Sequence, residues 1–130
     1  MKLNIFDKIK KWLRKKPQRK TSSIPEWKEI VEIMYDKHLD AFADEVVKVV
    51  YSKEKTMRYV VLKDEKGFFT YQLEAIYQYD KDEWEYIFSS NNALPAMWEL
   101  FRGITGKSVF SNEKELLKEM KAEPEYKQYF

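Results

Sequence analysis

The chain has 130 residues, of which 44% are hydrophobic and 35% are charged, and it contains no cysteine. This composition predicts a globular protein with one real core rather than a disordered chain. The missing thiols exclude disulfides, thiolate catalysis and cysteine-based zinc sites.

Charge is distributed unevenly along the chain. The first twenty residues hold nine basic side chains and one acid, a balance of +8, whereas residues 21–130 hold 15 basic and 21 acidic side chains, a balance of −6. The sequence therefore predicts a basic helical arm over residues 1–20 and a single α+β domain over residues 21–130.

The basic arm predicts an amphipathic helix over residues 3–16 that ends before Pro17. Its apolar residues follow helical spacing, and its basic residues cover the opposite face. Both faces are candidate contacts with a membrane or a protein partner. The apolar face is Ile5, Phe6, Ile9, Trp12 and Leu13, and the basic face is Lys8, Lys10, Lys11, Arg14 and Lys15.

Targeting signals are missing from the sequence. The apolar run at the start stops at Asp7, which is too short for a secretory signal. No apolar stretch approaches the roughly 20 residues that span a bilayer. We therefore expect a cytoplasmic protein without a transmembrane segment, whose membrane association, if it has one, runs through the arm.

Residues 22–42 predict one long helix. Ser23 and Glu26 stand at capping-box spacing, and Pro25 occupies the first turn, where its missing N–H costs little. The predicted buried stripe consists of Trp27, Ile30, Val31, Met34, His38, Ala41 and Phe42.

Three runs rich in β-forming residues follow, at 45–52, 56–63 and 68–79, and residues 84–88 predict a fourth strand. Gly67 suits a positive-φ position in the loop between the second and third runs. The third run alternates apolar and polar residues, which favours a strand, although the spacing of Phe69, Leu73 and Ile76 also fits a helix. We expect an antiparallel meander of about four strands with one face on the long helix.

The last third predicts helices. Residues 92–103 indicate a short helix with Pro95 in its first turn, and residues 111–123 indicate a capped amphipathic helix. Leu116, Leu117 and Met120 should face inward. A final turn begins at Pro124, and its aromatic residues should pack on the body: Tyr126, Tyr129 and Phe130.

Catalytic motifs are incomplete. The stretch "GITGKS" resembles the end of a phosphate-binding loop, but the first glycine of that motif would fall at Phe101. His38 is the single histidine, and the carboxylates of its own helix point elsewhere, which indicates a structural, partly buried side chain. We therefore predict no catalytic residue, no cofactor and no metal, and favour a non-enzymatic protein.

Carboxylate side chains cluster in two parts of the sequence. The first lies at residues 36–45 and the second at residues 80–85. Both fit solvated turns and helix faces, and the second is also a candidate acidic docking surface for a basic partner. The candidate residues of this acidic surface are Asp80, Asp82 and Glu83.

These features favour a small binding or accessory protein whose arm either packs on its own acidic body or rests on an anionic membrane surface. Two alternatives stay open. One is a soluble inhibitor or immunity-type module that meets a protein partner through the acidic surface, and the other is weak, non-specific nucleic-acid binding by the arm. The acidic balance of residues 21–130 argues against nucleic acid, because it repels phosphate.

Overall fold

A computed structural model describes residues 24–88, 94–101 and 108–130. The predicted α+β class is confirmed for these residues. The basic arm, its helix over residues 3–16 and the cap at Ser23 lie outside them and stay predictions. In chain order the elements are α1 (Trp27–Met34), a 3-10 helix (Leu39–Ala41), β1 (Glu45–Tyr51), β2 (Met57–Lys63), β3 (Phe69–Gln78), α2 (Lys81–Phe88), β4 (Ala96–Leu100), α3 (Glu113–Lys121) and α4 (Pro124–Tyr129).

The four strands form one sheet in the order β1-β2-β3-β4, which confirms the meander. Strand β2 pairs antiparallel with both β1 and β3. The alternating third run is therefore a strand, and its helical alternative is wrong. Gly67 has a φ of 89° in the β2–β3 loop, as predicted, and Asp64 Oδ1 accepts the N–H groups of Lys66 and Phe68 there, each at 2.9 Å.

The described residues divide into two compact units. Unit 1 comprises residues 24–30, 77–88 and 94–97, and unit 2 comprises residues 31–76, 98–101 and 108–130. In unit 1, the Trp84 side chain is 2% exposed and packs against Ile24, Tyr79 and Ile87. The predicted single domain over residues 21–130 stays a prediction.

The core of unit 2 joins the sheet to the C-terminal helices. Tyr59 and Val61 of β2 are fully buried against Leu116 and Met120 of α3. Asn112 caps α3, because its side-chain oxygen accepts the backbone N–H of Glu115 at 2.8 Å. The predicted capped helix and the packing of the aromatic C-terminal segment are confirmed, since Tyr126 and Phe130 pack on the same core, while Tyr129 is 39% exposed.

The fourth strand lies at a different place from the one predicted. Residues 84–88 belong to helix α2, and residues 96–100, predicted as helix, form β4. Helix α2 arises because Asp80 caps it and Trp84 and Ile87 share its buried side. Strand β4 buries its alternate residues Ala96 and Trp98, which is the period of a strand.

Helix α1 is shorter than predicted, since it ends at Met34 instead of reaching Phe42. The chain turns at His38, which adopts a left-handed φ of 66° and an exposed position, so the predicted partly buried histidine is wrong. Ile30 and Met34 are buried as predicted, but Trp27 is 42% exposed and Ala41 is exposed. None of the helices in the described ranges has the length and apolar character needed to cross a bilayer.

Candidate functional site

The predicted membrane or partner contacts of the arm lie outside the described residues. This applies to the whole apolar face, from Ile5 to Leu13, and to the whole basic face, from Lys8 to Lys15. Their roles therefore stay predictions that rest on the sequence alone.

The predicted acidic surface contains a helix cap. Asp80 Oδ1 accepts the backbone N–H of Glu83 at 2.8 Å, and Glu83 Oε1 accepts the backbone N–H of Asp80 at 2.9 Å. This reciprocal pair is a capping box for α2. Glu83 Oε1 also accepts the hydroxyl of Tyr77 at 2.7 Å. Two of the three predicted residues therefore hold the start of the helix, and Asp82 remains as an exposed carboxylate between them.

The exposed side of α2 carries both charge and an aromatic ring. Asp82, Glu85 and Tyr86 lie three and four positions apart, so they share the helix face opposite Trp84. The side chain of Tyr86 is 83% exposed. The sequence prediction missed Glu85 and Tyr86 as a surface, because it placed them on a strand. The Asp-x-x-Glu spacing at 80–83 was the available signal for a helix start.

A buried arginine joins the turn after α1 to the sheet in unit 2. Arg58 Nε donates to Glu74 Oε1 at 2.7 Å, and Arg58 Nη1 donates to the backbone oxygen of Lys37 at 3.0 Å. Both side chains are buried, with 0% exposure for Arg58 and 8% for Glu74. The guanidinium carbon lies 4.1 Å from the centre of the Trp98 ring, which adds a cation–π contact.

Side chains of the sheet satisfy the last carbonyl groups of α1 and the turn that follows. Trp98 Nε1 donates to the backbone oxygen of Met34 at 2.7 Å, and the hydroxyl of Tyr51 donates to the backbone oxygen of Tyr35. With Arg58 on the Lys37 oxygen, three backbone carbonyl groups between Met34 and Lys37 accept side-chain donors, and the Met34 oxygen also accepts the N–H of Lys37 at 3.1 Å. Burial raises the pKa of the Tyr51 hydroxyl, and the nearby Arg58 offsets only part of this effect.

The sequence prediction missed the Arg58–Glu74 pair. The signal for this pair was a single charge inside each of two otherwise apolar runs, "MRYVV" and "LEAI", at positions that an antiparallel register brings opposite each other. Gln72 Nε2 donates to the second carboxylate oxygen of Glu74 at 2.9 Å, so that oxygen is also satisfied. The arrangement stabilises the turn after α1, while Arg58 Nη2 is buried without a hydrogen-bond partner.

Glu123 holds the C-terminal segment to the sheet. Its Oε1 accepts the hydroxyl of Tyr59 and its Oε2 accepts the hydroxyl of Tyr71, each at 2.6 Å. Burial, and then the hydrogen bond to the Glu123 carboxylate, raise the pKa of both tyrosine hydroxyls. Two protonated donors on one carboxylate form a structural clasp, since neither tyrosine ionises near neutral pH.

A groove of about 410 Å³ opens at one end of the sheet in unit 2. Met57, Ala75 and Ile76 contribute apolar lining, and Lys53 contributes a cation. The buried Ser52 beside them is already used, because its hydroxyl oxygen accepts the N–H groups of the β1–β2 turn. A small molecule would fit by volume, and Glu54, Thr56 and Gln128 add polar groups to the lining.

Among the described residues, no group of three histidine, aspartate or glutamate side chains is placed to hold a metal ion. Comparison of the chain with protein-family models, with curated proteins and with solved structures gives no match. The function is therefore argued from the surfaces described above.

Proposed function

We propose that this chain is a non-enzymatic binding protein that recognises a positively charged protein partner through the exposed side of α2. The observation that supports this most directly is the combination of Asp82 and Glu85 with Tyr86, whose side chain is 83% exposed. Tyrosine is enriched at the energetic centres of interfaces, because its ring buries a large area and its hydroxyl keeps a polar partner.

Charge supports a basic partner. The described residues carry 21 acidic and 13 basic side chains, a balance of −8, and residues 80–87 carry four acids and one lysine. A surface of one sign attracts a partner of the opposite sign, which accelerates association and makes it sensitive to salt. An inhibitor or immunity-type protein that covers the basic active surface of another protein would use this arrangement.

The test begins with capture of protein partners on the immobilised full chain, followed by kinetics with each purified partner. We expect a partner whose association slows with added salt and whose affinity falls at least about tenfold with Asp82→Lys/Glu85→Lys. Tyr86→Ala should mainly accelerate dissociation. Asp80 and Glu83 are left intact, because their replacement would damage the helix cap.

The matched control is Glu54→Lys/Glu65→Lys, which makes the same change in net charge at two exposed positions of unit 2. This variant should bind like the unmodified chain apart from a small non-specific loss. The proposal is wrong if no captured partner distinguishes the two double variants, or if both variants lose affinity equally.

A second candidate function is reversible attachment to an anionic membrane surface through the arm. The sequence of residues 1–20 supports it, since five apolar side chains and five basic side chains fall on opposite sides of the predicted helix. Each basic residue near such a surface contributes about 1 kcal/mol, so a few of them suffice for reversible binding of a small protein.

Co-sedimentation with vesicles tests this candidate. The full chain should bind vesicles that contain phosphatidylserine, should not bind phosphatidylcholine vesicles, and should lose binding when residues 1–20 are deleted. Binding that survives the deletion would refute a role for the arm. A mobility shift with DNA of unrelated sequences at low salt would instead indicate non-specific phosphate binding.

A further inference from the structure

Strand β1 forms an edge of the sheet and carries an apolar sequence. Its seven residues, "EVVKVVY", are half-buried at every valine and at the tyrosine, and exposed at Glu45 and Lys48. Among the described residues, its neighbour in the sheet is β2 alone. Edge strands of this length and composition attract further strands unless they are covered.

The main-chain groups that face outward from β1 follow from its pairing with β2. Ser52 donates its N–H to Met57 O at 2.9 Å, so the alternation of an antiparallel ladder directs Val50 and Lys48 toward β2, and Tyr51 and Val49 outward. The register shifts by one residue between Val46 and Lys48. This bulge turns Val46 outward as well.

The C-terminal helix limits where another strand can add. Lys53 would supply the next outward N–H beyond Tyr51, but it donates to the backbone oxygen of Tyr129 at 3.0 Å. An added strand must therefore stay alongside β1 itself. A second copy of β1 can run antiparallel to the first, with its Val49 opposite Val46. In this register the outward-facing N–H and C=O groups of the two strands face each other.

This register also matches charge. Glu45 and Lys48 lie on the same face of the sheet, because their partners Lys63 and Val61 are two residues apart on β2. With Val46 opposite Val49 of the second copy, Glu45 becomes the diagonal neighbour of that copy's Lys48, within reach of a long side chain. Twofold symmetry repeats the contact, so Glu45 and Lys48 of each copy both lie near an opposite charge of the other copy.

We propose that β1 pairs antiparallel with β1 of a second copy of this chain, and that the two four-stranded sheets join into one continuous sheet. The interface does not use the acidic side of α2, so this proposal and the proposed function are tested separately. It covers the half-exposed valines of β1 and uses the bulge to set its register.

A charge-swap series on the full chain tests the proposal by light scattering coupled to size-exclusion chromatography and by sedimentation velocity. The unmodified chain should be dimeric at about 100 μM. Glu45→Lys alone, or Lys48→Glu alone, places like charges beside each other twice, and should raise the dimer dissociation constant at least about tenfold. The double swap Glu45→Lys/Lys48→Glu should restore the dimer.

The control is Lys66→Glu, which makes the same charge change as Lys48→Glu in the exposed β2–β3 loop and should leave the dimer intact. Circular dichroism verifies that each variant is folded. A monomeric full chain at about 100 μM overturns the proposal, and so does a dimer that the single swaps do not weaken. A dimer that disappears when residues 1–20 are deleted would assign the interface to the arm and would also overturn it.

Discussion

At the scale of single residues, the Arg58–Glu74 pair distinguishes this core from a purely apolar one. Both side chains are buried, and the guanidinium also reaches the Lys37 oxygen and the Trp98 ring. Burial of ions costs several kcal/mol each, and the cost is recovered only when both charges remain paired. The pair therefore matters mostly through what happens when half of it is removed.

Removal of one partner should destabilise the chain strongly. We expect Glu74→Leu and Arg58→Met each to lower the free energy of unfolding by about 3 kcal/mol, because each leaves one buried charge uncompensated. The double variant should lose clearly less than the sum of the two, since no buried charge remains. Denaturant unfolding of the four chains measures this coupling, and additive losses would contradict it.

The sequence could not reveal this pair, because its meaning depends on the partner strand. A charge in an apolar run indicates an exposed edge as readily as a buried ion pair, until the register of β2 and β3 brings Arg58 opposite Glu74. The lone His38 shows the same limit. Its burial was predicted from a helical stripe, and the stripe ended four residues earlier at Met34.

At the scale of elements, the sequence predicted the number of strands correctly and the position of the fourth one wrongly. Composition favoured a strand at 84–88, because Trp, Tyr, Ile and Phe are all β-formers. The capping box between Asp80 and Glu83 and the spacing of Trp84 and Ile87 favour the helix that forms. Intrinsic propensity is a weak signal over a short segment, so capping and packing decide whether the segment forms a helix or a strand.

The capping box should contribute measurably to stability. Asp80→Ala and Glu83→Ala should each lower the free energy of unfolding by about 1 kcal/mol, because each leaves a backbone N–H group at the start of α2 without its partner, and Glu83→Ala also removes the acceptor of the Tyr77 hydroxyl. Asp82→Ala, in the same turn, should cost about 0.5 kcal/mol or less, since it removes only an interaction with the helix dipole. Thermal or denaturant unfolding checks the order, and equal losses at all three positions would contradict the capping role.

The C-terminal helices were predicted well because their signals are local. Asn112 stands where a cap is needed, and Leu116 and Met120 are spaced for one buried face. The clasp at Glu123 was not predicted, because it requires two tyrosines from different strands to meet one carboxylate. Local patterns therefore identified the helix, and only the fold identified its attachment.

At the scale of the whole molecule, the contacts of Glu123 with Tyr59 and Tyr71 make the free energy of unfolding decrease at alkaline pH. The pKa values of Tyr59 and Tyr71 lie above the ordinary 10.0 in the folded state. Above about pH 10, the unfolded chain releases these protons while the folded chain keeps them, so the unfolded state binds fewer protons and stability falls as pH rises. The contribution is fully present below the unfolded pKa.

We expect the free energy of unfolding to be nearly flat from about pH 8 to about pH 9 with respect to these groups, and to decline above about pH 10 by up to about 1.4 kcal/mol per pH unit for each tyrosine. Tyr51 and Tyr79 also have raised pKa values and add to the decline. Urea unfolding across this range measures it. Tyr71→Phe should make the decline shallower, and an unchanged slope in that variant would refute the assignment.

The two units each contain a buried tryptophan, Trp84 in unit 1 and Trp98 in unit 2. The chain therefore carries an intrinsic optical reporter for each unit. A variant that keeps only Trp84 follows the loss of the packing around α2, and one that keeps only Trp98 follows the loss of the arginine contact and the Met34 hydrogen bond. Tryptophan emission from the two variants can thus separate a single cooperative transition from two successive ones, without an added dye.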